Sequence, residues 1–98
     1  MTETALESAE RVNDISPADA QILEALTGGR NVPSNLADEL GKNRSHISDR
    51  LAKLRRQGLV EQVGRKSISL HQITSEGHDV LDAWRSFQDA LEKGASRT

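Results

Sequence analysis

The sequence predicts a mainly α-helical domain carrying one small β-hairpin, an α+β arrangement in the order α-α-α-β-β-α with a long last helix. Three observations carry that prediction. Apolar residues recur at helical spacing in four stretches, most of them opened by a capping residue and closed by Gly. The period changes once, where "LVEQV" and "SISLHQI" are short, β-rich and partly alternating. Between these two runs stands "GRKS", a turn of hairpin length.

The first helix is "ISPADAQILEALTGG". Ser16 is its N-cap, Pro17 suits the first turn, and Asp19 stands at the capping-box position. Ile22, Leu23 and Leu26 form its apolar face, and Gly28-Gly29 end it. The second helix, "PSNLADELG", turns Leu36, Ala37 and Leu40 inward and stops at Gly41. Asn43 caps the third, in which Ile47, Leu51 and Leu54 recur at i, i+4 and i+7 before Gly58. In the hairpin, alternation of Ile68 and Leu70 predicts a half-buried second strand. The last helix, "TSEGHDVLDAWRSFQDALEKG", is capped by Thr74 or Ser75 and stopped by Gly94. Residues 1–14 are polar and acidic, with Ala5, Leu6, Ala9 and Val12 at roughly helical spacing, and read as a frayed tail or a short helix that needs a partner surface.

Ninety-eight residues suit a single modest core, built from Leu, Ile, Val and Ala because Trp84 and Phe87 are the only aromatics. With no Cys there is no disulfide, thiolate metal site or cysteine nucleophile. No apolar run approaches membrane-spanning length and no signal peptide is evident, so a cytoplasmic protein is expected. Charge by segment says more than the net charge of −2. Residues 1–41 carry net −6, residues 42–66 net +6, and residues 67–98 net −2. So sharp a reversal points to one surface suited to a polyanion.

Two short helices joined by a tight Gly turn let the second stand across the first and project into a groove. Ala37, Gly41 and Ile47 supply the small residue, the turn and the branched anchor that this geometry needs. At these residues the sequence resembles a known family. "NLADELGKNRSHISDRLAKLRRQGLVEQVG" resembles the helix-turn-helix and first wing strand of winged-helix transcription regulators. "LHQITSEGHDVL" resembles the end of their second wing strand and the T-x-x-G-x-x-x-L start of their last helix. The chain is most similar to small archaeal regulators of the phage phi-H repressor type, and more loosely to MarR-like and ArsR-like proteins. The resemblance covers about residues 16–82. At the turn the chain has Lys42-Asn43 where the family often has Val-Ser; Asn still caps, but the phosphate contacts there are expected to differ. The resemblance implies a winged helix-turn-helix in residues 16–75; the residues themselves predict a dimerisation helix in 76–94, a short tail in 95–98 and a flexible or dimer-dependent segment in 1–15.

At 100° per residue, Ile47, Leu51 and Leu54 face inward, while Ser45, Asp49, Ala52, Lys53 and Arg56 point out. Such a helix meets base edges mainly with its N-terminal residues, so Ser45, His46, Asp49 and Arg50 are the base-reading candidates. Asp49 repels phosphate unless it accepts from a cytosine amino group; pairing with Arg50 or Lys53 is its other reading. Phosphate positioning falls to Lys42, Asn43, Arg44 and Lys53 and to the start of the second helix at Ser34 and Asn35, with Arg65 and Lys66 at the wing tip. Arg55 and Arg56 sit where they also suit the helix dipole. In the last helix Val80, Trp84, Phe87 and Leu91 form a stripe longer than a small core needs, which predicts a homodimer seam.

The reading is a sequence-specific binder of double-stranded DNA, acting as a repressor on a palindromic operator and associated with the nucleoid. No cofactor and no small-molecule ligand is expected. No nucleophile–base–orienter pattern or Gly-rich phosphate loop is present, so no enzyme is expected. Two alternatives stand beside it. One is a metal- or ligand-responsive winged-helix sensor, for which His78, Asp79 and Asp82, within about a turn, would supply O/N metal ligands. A winged-helix protein-interaction module without DNA binding is the other, and the +6 segment argues against it.

Overall fold

The computed structural model describes residues 14–96. The expectations for residues 1–13 and for the end of the tail at 97–98 lie outside the described residues.

Helix α1 spans Pro17–Leu26. Ser16 Oγ accepts from the Asp19 amide and an Asp19 carboxylate oxygen accepts from the Ser16 amide, both at 3.1 Å, so the capping box is closed. Helix α2 spans Pro33–Leu40 and ends at Gly41, whose φ of 63° and ψ of 38° are left-handed. There the Lys42 amide turns back to the Ala37 carbonyl at 2.9 Å. Helix α3 spans Arg44–Arg56, capped by the Asn43 side chain accepting from the Ser45 amide at 2.8 Å. Ile47, Leu51 and Leu54 of α3 are fully buried against Leu23, Leu26 and Leu36, as the spacing predicts. Each such burial stabilises the fold by about 1.5–3 kcal/mol.

Strand β1 (Val60–Val63) pairs antiparallel with β2 (Leu70–Ile73), Val60 opposite Ile73 and Val63 opposite Leu70. Asn31 adds one bridge on the far side of β2, exchanging amide–carbonyl bonds with His71 at 2.9 and 2.8 Å. The second strand differs from expectation. Reversing the chain takes residues 64–69, with a 3-10 turn at Lys66–Ile68 and Ser69 in the left-handed region at φ 52°. Ile68 therefore sits on the turn, half exposed, and the residue that β2 buries is His71. The local alternation of Ile68 and Leu70 is real, but a left-handed residue between them resets which side chains face inward.

Helix α4 spans Ser75–Ser96 and runs through Gly94 instead of stopping there. A lone Gly costs a helix only about 1 kcal/mol and terminates it only with left-handed geometry, which Gly94 lacks. The start of α4 explains the T-x-x-G spacing. Thr74 Oγ1 accepts from the Gly77 amide at 3.0 Å and donates to the Gly58 carbonyl at 2.7 Å. A Cβ on Gly77 would stand 2.2 Å from the Leu59 carbonyl oxygen. The first turn of α4 is thus laid directly on the backbone that links α3 to the wing. Val80 and Leu81 enter the core, Trp84 packs partly on it, and Arg85 Nε reaches Glu24 of α1 at 3.0 Å. Beyond that point the core formed by the described residues ends, and Phe87 and Leu91 are about half exposed. No helix among the described residues is long and apolar enough to cross a membrane.

Candidate nucleic-acid interface

Because three branched side chains pin one face of α3, the opposite face is forced outward. Arg44, Ser45, His46 and Asp49 are all exposed, on the N-terminal half of the helix. Lys42 and the capping Asn43 sit just before them, and Arg65 is exposed at the wing tip. Lys42, Arg44, Arg56 and Arg65 make no ion pair with a described residue. Asp49 pairs with neither Arg50 nor Lys53 among the described residues, so its carboxylate projects freely from the exposed face. At the start of α2, Ser34 and Asn35 are exposed; the Asn35 amide donates to the Asn31 side chain at 2.8 Å and to Glu39 at 3.2 Å.

The two flanks of α3 are occupied differently. Toward α1, Lys53 Nζ lies 2.9 Å from Asp19 Oδ2 and 2.7 Å from the Asp14 carbonyl oxygen. Arg50 Nη1 lies 3.8 Å from the other Asp19 oxygen. Asp19 is completely buried, and both bases are about one third exposed. Toward the wing, Arg55 Nη1 donates to His71 Nε2 at 2.7 Å, and the other ring nitrogen meets the Ser69 carbonyl at 2.7 Å. A guanidinium can only donate and a carbonyl can only accept, so His71 must be neutral, with its proton on Nδ1. Burial, and secondarily the positive Arg55, hold its pKa below the ordinary 6.5 in spite of the Ser69 bond. A polar cleft opens here between α3 and the wing, lined by Ser48, Arg55, Gln62 and Ser69.

Sequence reasoning missed Asp19 and His71 as members of this assembly. Asp19 was legible as a cap, but nothing local marks its carboxylate as buried or as the partner of a residue 34 positions away. His71 was placed on a strand with no sign that it would face Arg55. Of the expected seam, Val80 is completely buried in the chain's own core and Trp84 is partly buried against it, which leaves Phe87 and Leu91 exposed on α4. Around His78, Asp79 and Asp82, and elsewhere among the described residues, no group of three or more His, Asp or Glu is placed to hold a metal ion.

Residues 16–62, which span α1 to β1, match the family model described as bacterial regulatory protein, arsR family. No curated protein matches the chain in sequence. Among solved structures the chain is similar to YusO from Bacillus subtilis, with a TM-score of 0.77 and 18% identity over 96% of this chain and 69% of that one. It is similar to Sco5413, a MarR family transcriptional regulator from Streptomyces coelicolor, with a TM-score of 0.76 and 22% identity over 97% of this chain and 70% of that one. It is also similar to a S. aureus MepR mutant bound to an oligodeoxyribonucleotide, with a TM-score of 0.72 and 17% identity over 99% and 76%. The chain thus spans roughly two thirds to three quarters of the length of these structures. Fold and family model alike are those of transcription regulators and not of enzymes. The three helices, the hairpin that Asn31 extends by one bridge, and the long last helix make this chain a winged helix-turn-helix of the kind those regulators share.

Proposed function

We propose that this chain binds double-stranded DNA sequence-specifically as a homodimer and acts as a transcriptional repressor on a palindromic operator. The observation that carries the reading is the exposed N-terminal half of α3. It presents Ser45, His46 and Asp49, side chains that can read base edges, with Lys42, Arg44 and Arg65, bases without an ion-pair partner among the described residues. That is the placement a recognition helix and wing require, with base contacts central and phosphate contacts around them. The S. aureus MepR relative, of the same fold, is a DNA complex. Trp84, Phe87 and Leu91 form the seam in this proposal, since half-exposed Phe and Leu on one helix face are poorly used by a monomer. A two-fold protein reads a two-fold site, with half-sites about 10–10.5 bp apart or a multiple of that. Kinship with small archaeal phi-H repressor-type regulators and a nucleoid location belong to the same proposal.

Titration of a labelled random duplex at increasing salt tests it. Binding at low salt with log K falling linearly in log salt is expected, with a slope of about −0.9 per phosphate contact. Failure to bind duplex at low salt would leave the fold as a protein-interaction module. Sedimentation at tens of micromolar tests the dimer, and a monomer there overturns that part.

A further inference from the structure

Eight of the chain's bases lie between residues 42 and 66, and the simplest expectation is that all of them meet DNA. The flank of α3 toward α1 does not fit that expectation. Lys53 is held at both ends of a short path, by the Asp19 carboxylate at 2.9 Å and the Asp14 carbonyl at 2.7 Å. Its partner is a fully buried carboxylate seated in the first turn of α1. A buried charge whose partner leaves is strongly destabilised, far more than a surface pair. Pulling Lys53 away to a phosphate would abandon Asp19 in the interior, where its second oxygen already has no hydrogen bond and only Arg50 at 3.8 Å.

We propose that Asp19 is a positioning residue for DNA recognition: it clamps Lys53, and steers Arg50, so that these bases fix how α3 lies on α1 and Lys53 does not contact phosphate. This rests on the DNA-binding reading and refines it. Helix α3 is anchored by three apolar residues along one line, which sets its depth but constrains rotation about its own axis weakly. The Lys53 clamp on one flank and the Arg55–His71 bond on the other restrain that rotation, and with it the direction in which Ser45, His46 and Asp49 point.

The test uses the full chain and three readouts: thermal unfolding, the salt slope of binding to a labelled random duplex, and the base preference selected from a random duplex pool. Lys53→Gln and Asp19→Asn should relax that preference, which a merely structural ion pair would leave unchanged. The variants are Lys53→Gln, Lys53→Arg, Asp19→Asn, the double variant, and Arg44→Gln as an exposed comparison. Asn at position 19 can still accept from the Ser16 amide, so the cap is kept. Lys53→Gln should lower Tm by at least about 4–8 °C, Lys53→Arg should recover most of it, and adding Asp19→Asn to Lys53→Gln should recover part. Arg44→Gln should reduce the magnitude of the salt slope by about 0.9, while Lys53→Gln should leave it unchanged. A Lys53→Gln chain that keeps its Tm, loses about 0.9 from the salt slope, or selects with unchanged base preference overturns the proposal. If Lys53→Gln does not fold alone, the double variant supplies all three readouts. If no variant, nor the parent chain, binds the duplex, the DNA reading fails; the recovery of Tm still decides whether the clamp exists.

Discussion

The two halves of α3 carry similar side chains in different circumstances. From Arg44 to Asp49 the charged and polar groups stand in solvent without described ion-pair partners. From Arg50 to Arg55 all three charged positions are engaged, Arg50 and Lys53 with Asp19, Arg55 with His71. The difference teaches that the number of bases in a segment overstates its positive surface. One half of the helix is available to a partner; the other half holds the helix in place so that the first half points consistently.

The largest test breaks the support common to both halves. Leu51 is fully buried at the middle of α3, and Leu51→Ala should cost about 2–5 kcal/mol of stability, seen as an earlier denaturation midpoint. A loss under about 1 kcal/mol would mean that α3 is not anchored as described.

A second test acts on the exposed half alone. Ser45→Ala, His46→Ala or Asp49→Ala should each relax preference at one or two base pairs of a half-site. The cost against the preferred sequence is about 1–3 kcal/mol, with little change on random DNA and unaltered Tm. Selection from a random duplex pool with each variant reads this directly. Should Asp49→Ala tighten binding to every sequence equally, that carboxylate only repels phosphate.

Extending the comparison to the wing gives a smaller effect. Arg65→Ala with Lys66→Ala should weaken specific and random DNA alike and shrink the salt slope by about 1 per residue. An unchanged slope would show that the hairpin tip does not reach the backbone of the duplex.

Most of the fold was legible because its signals are local. The Ser16–Asp19 box, the left-handed Gly41 and the Asn43 cap each act within a few residues, and Ile47, Leu51 and Leu54 declare their face by spacing alone. The exposed face of α3 follows from that spacing, so Ser45 and Asp49 are placed outward by the sequence alone, with His46 on the flank beside them. What was not legible depends on partners distant in sequence. Arg50 and Lys53 look like any other base until Asp19 is brought beneath them, and Val80 looks like the start of a seam until the chain's own core covers it. Ile68 failed for another reason: alternation cannot reveal a left-handed Ser69, which is an uncommon backbone state for Ser.

The smallest expected effect is on pH dependence, and it separates the wing flank of α3 from the rest. His71 is neutral in the fold, with Nε2 accepting from Arg55, and its pKa lies below 6.5 mainly because it is buried. Above pH 6.5 the ring is neutral both folded and unfolded and contributes no pH dependence. As pH falls through 6.5 the unfolded chain takes up a proton that the folded chain resists, so stability declines until the lower, folded pKa is passed, and then levels off. Protonation at Nε2 would also put a second donor opposite Arg55 and break the bond between α3 and β2. His71→Gln can keep an acceptor for Arg55 but cannot titrate. The parent chain should therefore lose stability relative to His71→Gln as pH is lowered from 8 to 5, while His46 and His78, present in both, cancel in the comparison. Thermal unfolding of the two chains across that range measures the gap. Curves that stay parallel would show that His71 is not the group that ties the wing flank of α3 to pH.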